Sequence, residues 1–326
     1  MDKINRPIEN DSNILKDIRS FLIKMNSENP KTNDEMSIED TRDMLIKSST
    51  SMNFDYSDID VFNMDIQQDG ISININIVKP KKAEGQLPVF MFFHGGGWTF
   101  EDFLTHKKLV RDLVVESGAV AVFPNYTLSP EVTYPIALNQ VYAATKWISF
   151  HGDKIGVDGK KLAVVGNSAG GNLAAAVALM AKDKKGPNIL YQILLWPVTD
   201  SDFSRESYKK YGQDRFLTTE TMKWMWDNYV PDLIKRKEKY ASPNQASIEE
   251  LQGLPPALIQ IAENDILYDE GIEYGRKLDE AGVATTIAVY KGLIHDYGKL
   301  EHLSHIQSVR DSVTQVAIAL KNILFK

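Results

Sequence analysis

The sequence predicts an α/β fold: a mostly parallel eight-stranded sheet with helices on both faces and a helical cap. Three observations carry that prediction. Short, continuously apolar runs, the mark of strands buried on both faces, recur along the chain. Stretches of helical period lie between them, and this alternation implies right-handed βαβ units with parallel pairing. Two segments, one at the start and one between the sixth and seventh apolar runs, break the rhythm and are assigned to the cap.

Residues 1–53 are polar, yet Ile14, Ile18, Phe21, Leu22 and Met25 fall on one face of a helix. Ser37 followed by Asp40 reads as a capping box opening a second helix that carries Met44 and Leu45. Narrow apolar faces of this kind need another surface, so the segment is expected to be a lid and not an independent domain. Ile59–Ile66 and Ile71–Val78 alternate apolar with polar around the turn signal Gln68-Asp69-Gly70, predicting a hairpin. Pro88–Phe93 is a buried strand, Leu104–Ser117 a helix, Ala119–Phe123 a strand and Ala137–Phe150 a helix. Leu162–Val165 is the next strand, and Ala169–Met180, apolar all round, a buried helix. Ile189–Trp196, Pro256–Ala262 and Thr285–Tyr290 complete the strands. The expected division is a helical N-terminal cap segment (1–53), a core in two parts (54–197 and 251–326) and a cap insertion (198–250). Within the insertion Met222, Met225, Trp226 and Tyr229 share a helical face, suited to core packing or to a pocket wall.

Composition removes whole classes of function. The chain has 326 residues, 43% hydrophobic and 25% charged, an ordinary globular profile long enough for a large core. It has no cysteine, which excludes disulfide frameworks, cysteine nucleophiles, thiolate zinc sites and iron–sulfur clusters. A net charge of −7 argues against nucleic acid and anionic membrane partners. The first 26 residues hold no apolar run longer than Phe21-Leu22-Ile23, and no stretch approaches the ~20 residues that span a bilayer. A cytoplasmic protein without stable membrane association is expected.

The chemistry concentrates in two glycine-rich motifs. Gly166-Asn167-Ser168-Ala169-Gly170-Gly171 sits between a strand and the buried helix, where a nucleophile elbow exposes its serine on a strained turn. The plain alternative is a turn that only lets helix and strand pack closely. His94-Gly95-Gly96-Gly97-Trp98 follows a buried strand, and its backbone N–H groups can converge on one oxygen. With Ala169 they would make an oxyanion hole worth about 3–4 kcal/mol per donor. A phosphate loop is the rival, but no Gly-Lys-Ser/Thr follows. His94 reads as an anchor for the loop and not as a base.

HGGGW followed 74 residues later by the serine of GNSAGG resembles the hormone-sensitive-lipase-like (bacterial family IV) esterases of the α/β-hydrolase superfamily. The likeness covers about residues 59–326. Tyr126–Glu131 (YTLSPE) is similar to the family's Tyr-Arg-Leu-Ala-Pro-Glu, with Thr127 and Ser129 as departures, and Trp196–Asp200 is similar to the stretch leading into the cap. The resemblance implies a triad in the order Ser168, Asp265, His295. Asp265 stands in the family's Asp-Pro-Leu position with Ile266 for proline, and Glu263 is the alternative acid. Asp269 and Glu270 look like helix-start residues. After His295, Asp296 and Tyr297 replace the usual glycine and phenylalanine; Asp296 is expected to raise the pKa of His295 or to cap the last helix. The hole is assigned to Gly95, Gly96, Gly97 and Ala169, with Gly95 shaping the turn. Trp98 and Trp224, with Phe100, are assigned to a short acyl pocket.

The implied activity is hydrolysis of short-to-medium-chain acyl esters, a small-molecule substrate, with no cofactor and no metal. An arylformamidase-like amide hydrolase is the alternative within the fold. A non-catalytic small-molecule binding protein is a further one, although such relatives are expected to lack a triad member. The resemblance also implies homodimers joined along the last strand and helix.

Overall fold

In a computed structural model describing residues 7–28, 36–82 and 84–326, two helices precede the sheet: α1 (Lys16–Glu28) and α2 (Ile38–Thr50). Residues 1–6 and 29–35 of the N-terminal cap segment lie outside the described residues. The strands are β1 (Ile59–Gln68), β2 (Ile71–Pro80), β3 (Leu87–Phe93), β4 (Val120–Pro124), β5 (Val157–Asn167), β6 (Tyr191–Leu195), β7 (Ala257–Asn264) and β8 (Thr285–Ile294). The connecting helices are α3 (Phe103–Ser117), α4 (Ile136–His151), α5 (Ala169–Asp183), α6 (Glu206–Tyr211), α7 (Thr219–Tyr229), α8 (Ile248–Leu251) and α9 (Tyr268–Glu280), and α10 (Gln307–Leu324) closes the chain.

All eight strands join one sheet in the order β1-β2-β4-β3-β5-β6-β7-β8. The β1/β2 hairpin and the β2/β4 pair are antiparallel, and every other pair is parallel. Period-two side-chain alternation then splits the apolar residues between two faces. Val89, Met91 and Phe93 of β3 join the cluster under α4, α5 and α9, whereas Phe90 and Phe92 join the one under α3 and α10. Both faces are covered, which is why these strands read as continuous apolar runs.

α1 places Ile18 and Leu22 in the α3/α10 cluster, as its apolar stripe requires. The segment is tied down elsewhere too: Leu15 N–H donates to Gly292 O (3.1 Å), and Arg215 pairs with buried Asp11 (2.7 Å). Only half of the expected capping box forms at α2. Ser37 Oγ accepts from the Asp40 N–H (3.0 Å), but the Asp40 carboxylate accepts from the Ser37 hydroxyl (2.7 Å), its acidic arm being one carbon shorter than the glutamate such a box favours. β5 starts five residues before the predicted Leu162: Val157, which is buried, and Asp158 pair with Leu87 and Pro88, and the polar stretch before Leu162 interrupts the apolar run. Between β6 and β7 the chain leaves the sheet for α6, α7 and α8. β8 is an edge strand. Among the described residues no helix is long and apolar enough to cross a membrane.

Candidate active site

The GNSAGG segment makes the turn from β5 into α5, and Ser168 sits at its apex with φ 53° and ψ −120°, a conformation that non-glycine residues adopt only under constraint. The constraint is visible. Ser168 N–H donates to Leu195 O (2.9 Å), and its own carbonyl accepts from Asn172 and Val198 (both 3.1 Å). A Cβ on Gly170 would lie 1.9 Å from Phe93 O, and one on Gly166 would lie 2.0 Å from Gly170 O. The two glycines therefore let the helix start close enough to β3 to present the serine.

Asp265 follows β7 and His295 follows β8, so strand order alone delivers both to the same end of the sheet as Ser168. His295 Nδ1 lies 2.6 Å from Asp265 Oδ2, and His295 Nε2 lies 2.9 Å from Ser168 Oγ. Asp265 Oδ1 accepts from the Leu267 N–H (3.0 Å), which fixes the carboxylate plane. Facing an acceptor-only carboxylate, Nδ1 carries the proton, and Nε2 is left to accept from the serine hydroxyl. The three residues are 5%, 2% and 2% exposed in the order Ser168, Asp265, His295. Burial by itself would lower the His295 pKa, but the Asp265 and Asp296 carboxylates overcome it and hold the pKa above the ordinary imidazole value. Glu263 is occupied elsewhere, accepting from the Gly292 N–H (2.8 Å).

The HGGGW loop runs past the serine. Among the described residues the N–H groups of Gly96, Gly97 and Ala169 have no hydrogen-bond acceptor, as an oxyanion hole requires. Gly95 is different: its N–H donates to Asn167 Oδ1 (3.0 Å), so it belongs to the loop framework and is removed from the hole. His94 is an anchor. Its ring stacks on Tyr126 (4.2 Å, 8°), the Tyr126 hydroxyl donates to His94 O (3.0 Å), and burial keeps its pKa well below the ordinary value. Arg42 of α2 braces the far side of the loop, its Nε donating to Thr99 O (2.8 Å) and its Nη2 to Ser129 O (3.0 Å).

The structure corrects one pocket residue. Trp98 is 0% exposed, stacked on Tyr229 (4.2 Å, 11°) and edge-on to Trp226 (5.1 Å). It packs behind the loop and offers no surface to a substrate. Its φ of 57° turns the ring inward, a reversal invisible in residue type. Trp224 is half-buried and stacks on Phe100 (5.6 Å, 15°). Met225, which the helical spacing suits to core packing or to a pocket wall, lies against the glycine loop: a Cβ on Gly97 would lie 2.0 Å from its Sδ.

Asp296 does not cap the last helix, which starts at Gln307. Its buried Oδ1 accepts from Trp196 Nε1 (2.7 Å) and Asn167 Nδ2 (3.1 Å) and lies 4.0 Å from His295 Nε2. Next to it Lys299 pairs with buried Glu101, whose other oxygen is 3.6 Å from His106 Nε2. Burial pushes the Glu101 pKa up and drives His106 down to about 3, leaving that imidazole neutral. Glu270, expected as a simple helix-start residue, is fully buried. It accepts from the Thr199 and Asp200 N–H groups (2.7 and 3.2 Å) and from the Tyr208 hydroxyl (3.0 Å), tying the exit from β6 to α9.

A serine on a strained strand–helix turn, a histidine on its oxygen and a carboxylate on that histidine, in the chain order Ser, Asp, His, define the hydrolase class of doubly covered α/β folds. Comparison with known proteins agrees. A model of the alpha/beta hydrolase fold matches residues 90–299, and the chain belongs to that family, in its hormone-sensitive-lipase-like branch. Among characterised relatives, the carboxylesterase NlhH of Mycobacterium tuberculosis is 33% identical over 231 residues (70% of this chain, 72% of that protein). The ethyl acetate hydrolase of Pseudomonas putida is 30% identical over 257 residues (78% and 80%). Among solved structures, a thermostable esterase from Pseudomonas putida superposes with a TM-score of 0.95 at 50% identity, covering 96% of this chain and 98% of that one.

Proposed function

We propose that the protein is a serine carboxylesterase that hydrolyses short-to-medium-chain acyl esters through an acyl-enzyme intermediate. The observation that carries this reading is the unbroken relay from Asp265 Oδ2 through His295 to Ser168 Oγ, with steps of 2.6 and 2.9 Å, beside three unengaged N–H groups. Carboxylic-ester hydrolysis is the activity named for its relatives.

His295 Nε2 takes the hydroxyl proton as Ser168 Oγ attacks the ester carbonyl carbon. The carbonyl oxygen, now an oxyanion, is met by the N–H groups of Gly96, Gly97 and Ala169, the last at the N-terminus of α5 where the helix dipole favours negative charge. The imidazolium then protonates the departing alkoxide, and the serine is left acylated. Water repeats the sequence on the acyl-enzyme with His295 as base, releasing the acid and regenerating the hydroxyl. Asp265 holds the tautomer and the positive charge throughout. The aromatic pair Phe100 and Trp224 limits the acyl side, and the relative that acts on ethyl acetate supports a small substrate. Residues 1–53 and 198–250 serve as cap, a role supported by the Arg215–Asp11 pair that joins the two segments.

The test is turnover of p-nitrophenyl esters from acetate to decanoate by wild type and Ser168→Ala. Activity is expected to fall by about three orders of magnitude or more in the variant. A preference for acyl chains beyond about ten carbons would contradict the short pocket. A folded wild type inactive on every ester would overturn the esterase reading, and N-formyl aromatic substrates would then test amide hydrolysis on the same serine.

A further inference from the structure

We propose that Asp296 is a positioning residue for His295: a second buried carboxylate, fixed by Trp196 and Asn167, that faces the Nε2 edge of the imidazole and stabilises the charge this ring takes up from Ser168. The inference rests on the hydrolase reading of the site and names a member that the triad does not include. It starts from an asymmetry. The Nδ1 side of the ring has its carboxylate in direct contact, Asp265 at 2.6 Å, and one acid is all that the relay needs. A second carboxylate oxygen nevertheless stands 4.0 Å from Nε2 in a buried site.

Its placement is built. Oδ1 accepts one hydrogen bond from the indole of Trp196, at the end of β6, and one from the amide of Asn167, at the end of β5. Both donors are themselves buried, and Asn167 also holds the glycine loop through Gly95. At 4.0 Å the carboxylate does not displace Ser168 from Nε2, whose oxygen is 2.9 Å away. It acts through space, where a low local dielectric keeps the interaction large.

Every other charged or titratable group facing the ring leaves that field standing. Lys299 and Glu101 pair with each other, His106 and His94 are neutral, and Glu301 adds an acidic group beyond Lys299. Burial opposes ionisation of Asp296, but His295, Lys299 and the hydrogen bond from the Trp196 indole outweigh it and keep the carboxyl below its ordinary pKa, so the charge is present. When the proton of Ser168 Oγ moves to Nε2, that O–H bond breaks, an N–H bond forms and the oxygen's electron pair goes to the carbonyl carbon. The positive charge appears on the ring between two carboxylates.

Asp296→Asn separates charge from structure. Its φ of 57° lies where asparagine and glycine are tolerated, and an amide oxygen can accept from Trp196 and Asn167 as the carboxylate does. Two readouts follow. NMR titration of the His295 ring protons, which needs no substrate, should show the pKa lower by about one unit in the variant. On esters, the acidic limb of kcat/KM should move down by the same amount, with kcat about tenfold lower above it and KM within twofold. A role confined to packing would move neither the titration nor the limb. An unshifted imidazole in folded Asp296→Asn overturns the proposal. If that variant does not fold, Asp296→Gly takes its place, and an unshifted imidazole there overturns it equally. A protein without ester turnover refutes the esterase reading and leaves the titration decisive for this one.

Discussion

Asp265→Asn is the substitution whose outcome the geometry dictates most closely. The carboxylate accepts two hydrogen bonds, from His295 Nδ1 at Oδ2 (2.6 Å) and from the Leu267 N–H at Oδ1 (3.0 Å). An amide of the same shape has one acceptor for those two donors. If its oxygen faces His295, its NH2 is driven against the Leu267 N–H, and a buried donor pair without acceptor costs about 1–3 kcal/mol. If its oxygen faces Leu267, its NH2 faces Nδ1, and the imidazole answers by moving its proton to Nε2, a neutral tautomer of nearly equal energy. The second arrangement therefore wins. An Nε2–H donates to Ser168 Oγ and cannot take its proton, so the base is lost while the fold is kept. The expected fall in kcat is about 10⁴-fold, with an unchanged urea midpoint. The assay is p-nitrophenyl ester turnover near pH 8, with the His295 tautomer read by ¹⁵N NMR. A folded variant retaining a tenth or more of wild-type kcat would show that Asp265 does not orient the base, and the reasoning would fail.

Other consequences concern the scaffold. Gly170→Ala sets a Cβ 1.9 Å from Phe93 O, whereas Gly253→Ala meets nothing within 4 Å and bears only the strain of φ 74°. Chemical denaturation should show a loss of more than about 3 kcal/mol for the first, with overpacking against immovable backbone, and about 1 kcal/mol for the second. Lys299→Met strands the buried Glu101 carboxylate and should cost about 3–5 kcal/mol. Adding Glu101→Gln should recover most of that, and a double-mutant cycle measures the coupling. Burial raises the Glu270 pKa from an ordinary 4.5 to about 8. The folded state thus keeps a proton that the unfolded chain releases, so this group's stability contribution is full below pH 4.5 and is lost as pH rises to about 8. Glu270→Gln should flatten the pH dependence of the unfolding free energy over that window, by on the order of 5 kcal/mol, as read by chemical denaturation across that range.

The sheet was legible because burial on both faces writes itself directly into composition. Pro88–Phe93 and Ala119–Phe123 are apolar without a break, and both are central strands. Strand limits were less legible where polar residues break the run. β5 opens on buried Val157 laddered to β3, but the polar stretch 158–161 interrupts the apolar run before Leu162 and hides that start. α2 showed its start through Ser37, but the sequence says nothing of Arg42, whose reach to Thr99 and Ser129 spans the gap between distant segments.

The site divides along the same line. Ser168, Asp265 and His295, which the structure brings into contact, stand out in the sequence because the fold fixes where their strands end and chain order limits the choice to a few loop residues. Gly95 and Trp98 were misplaced because backbone direction, not residue type, decides what they do: one N–H turns to Asn167, and one ring turns inward at φ 57°. Asp296, Glu101, Lys299 and His106 form no motif, being spread over some two hundred positions, and a charge in a sequence reads by default as solvated. Their burial against His295 follows only from the crossing of the HGGGW loop and the loop after β8. Two of the four, Glu101 and Asp296, hold left-handed backbone that glycine would adopt more easily. Packing alone would favour glycine at both positions. The carboxylates there raise the pKa of His295, and one of them pairs with Lys299, so charge-neutral, shape-conserving substitutions are the ones that separate their charge from their packing.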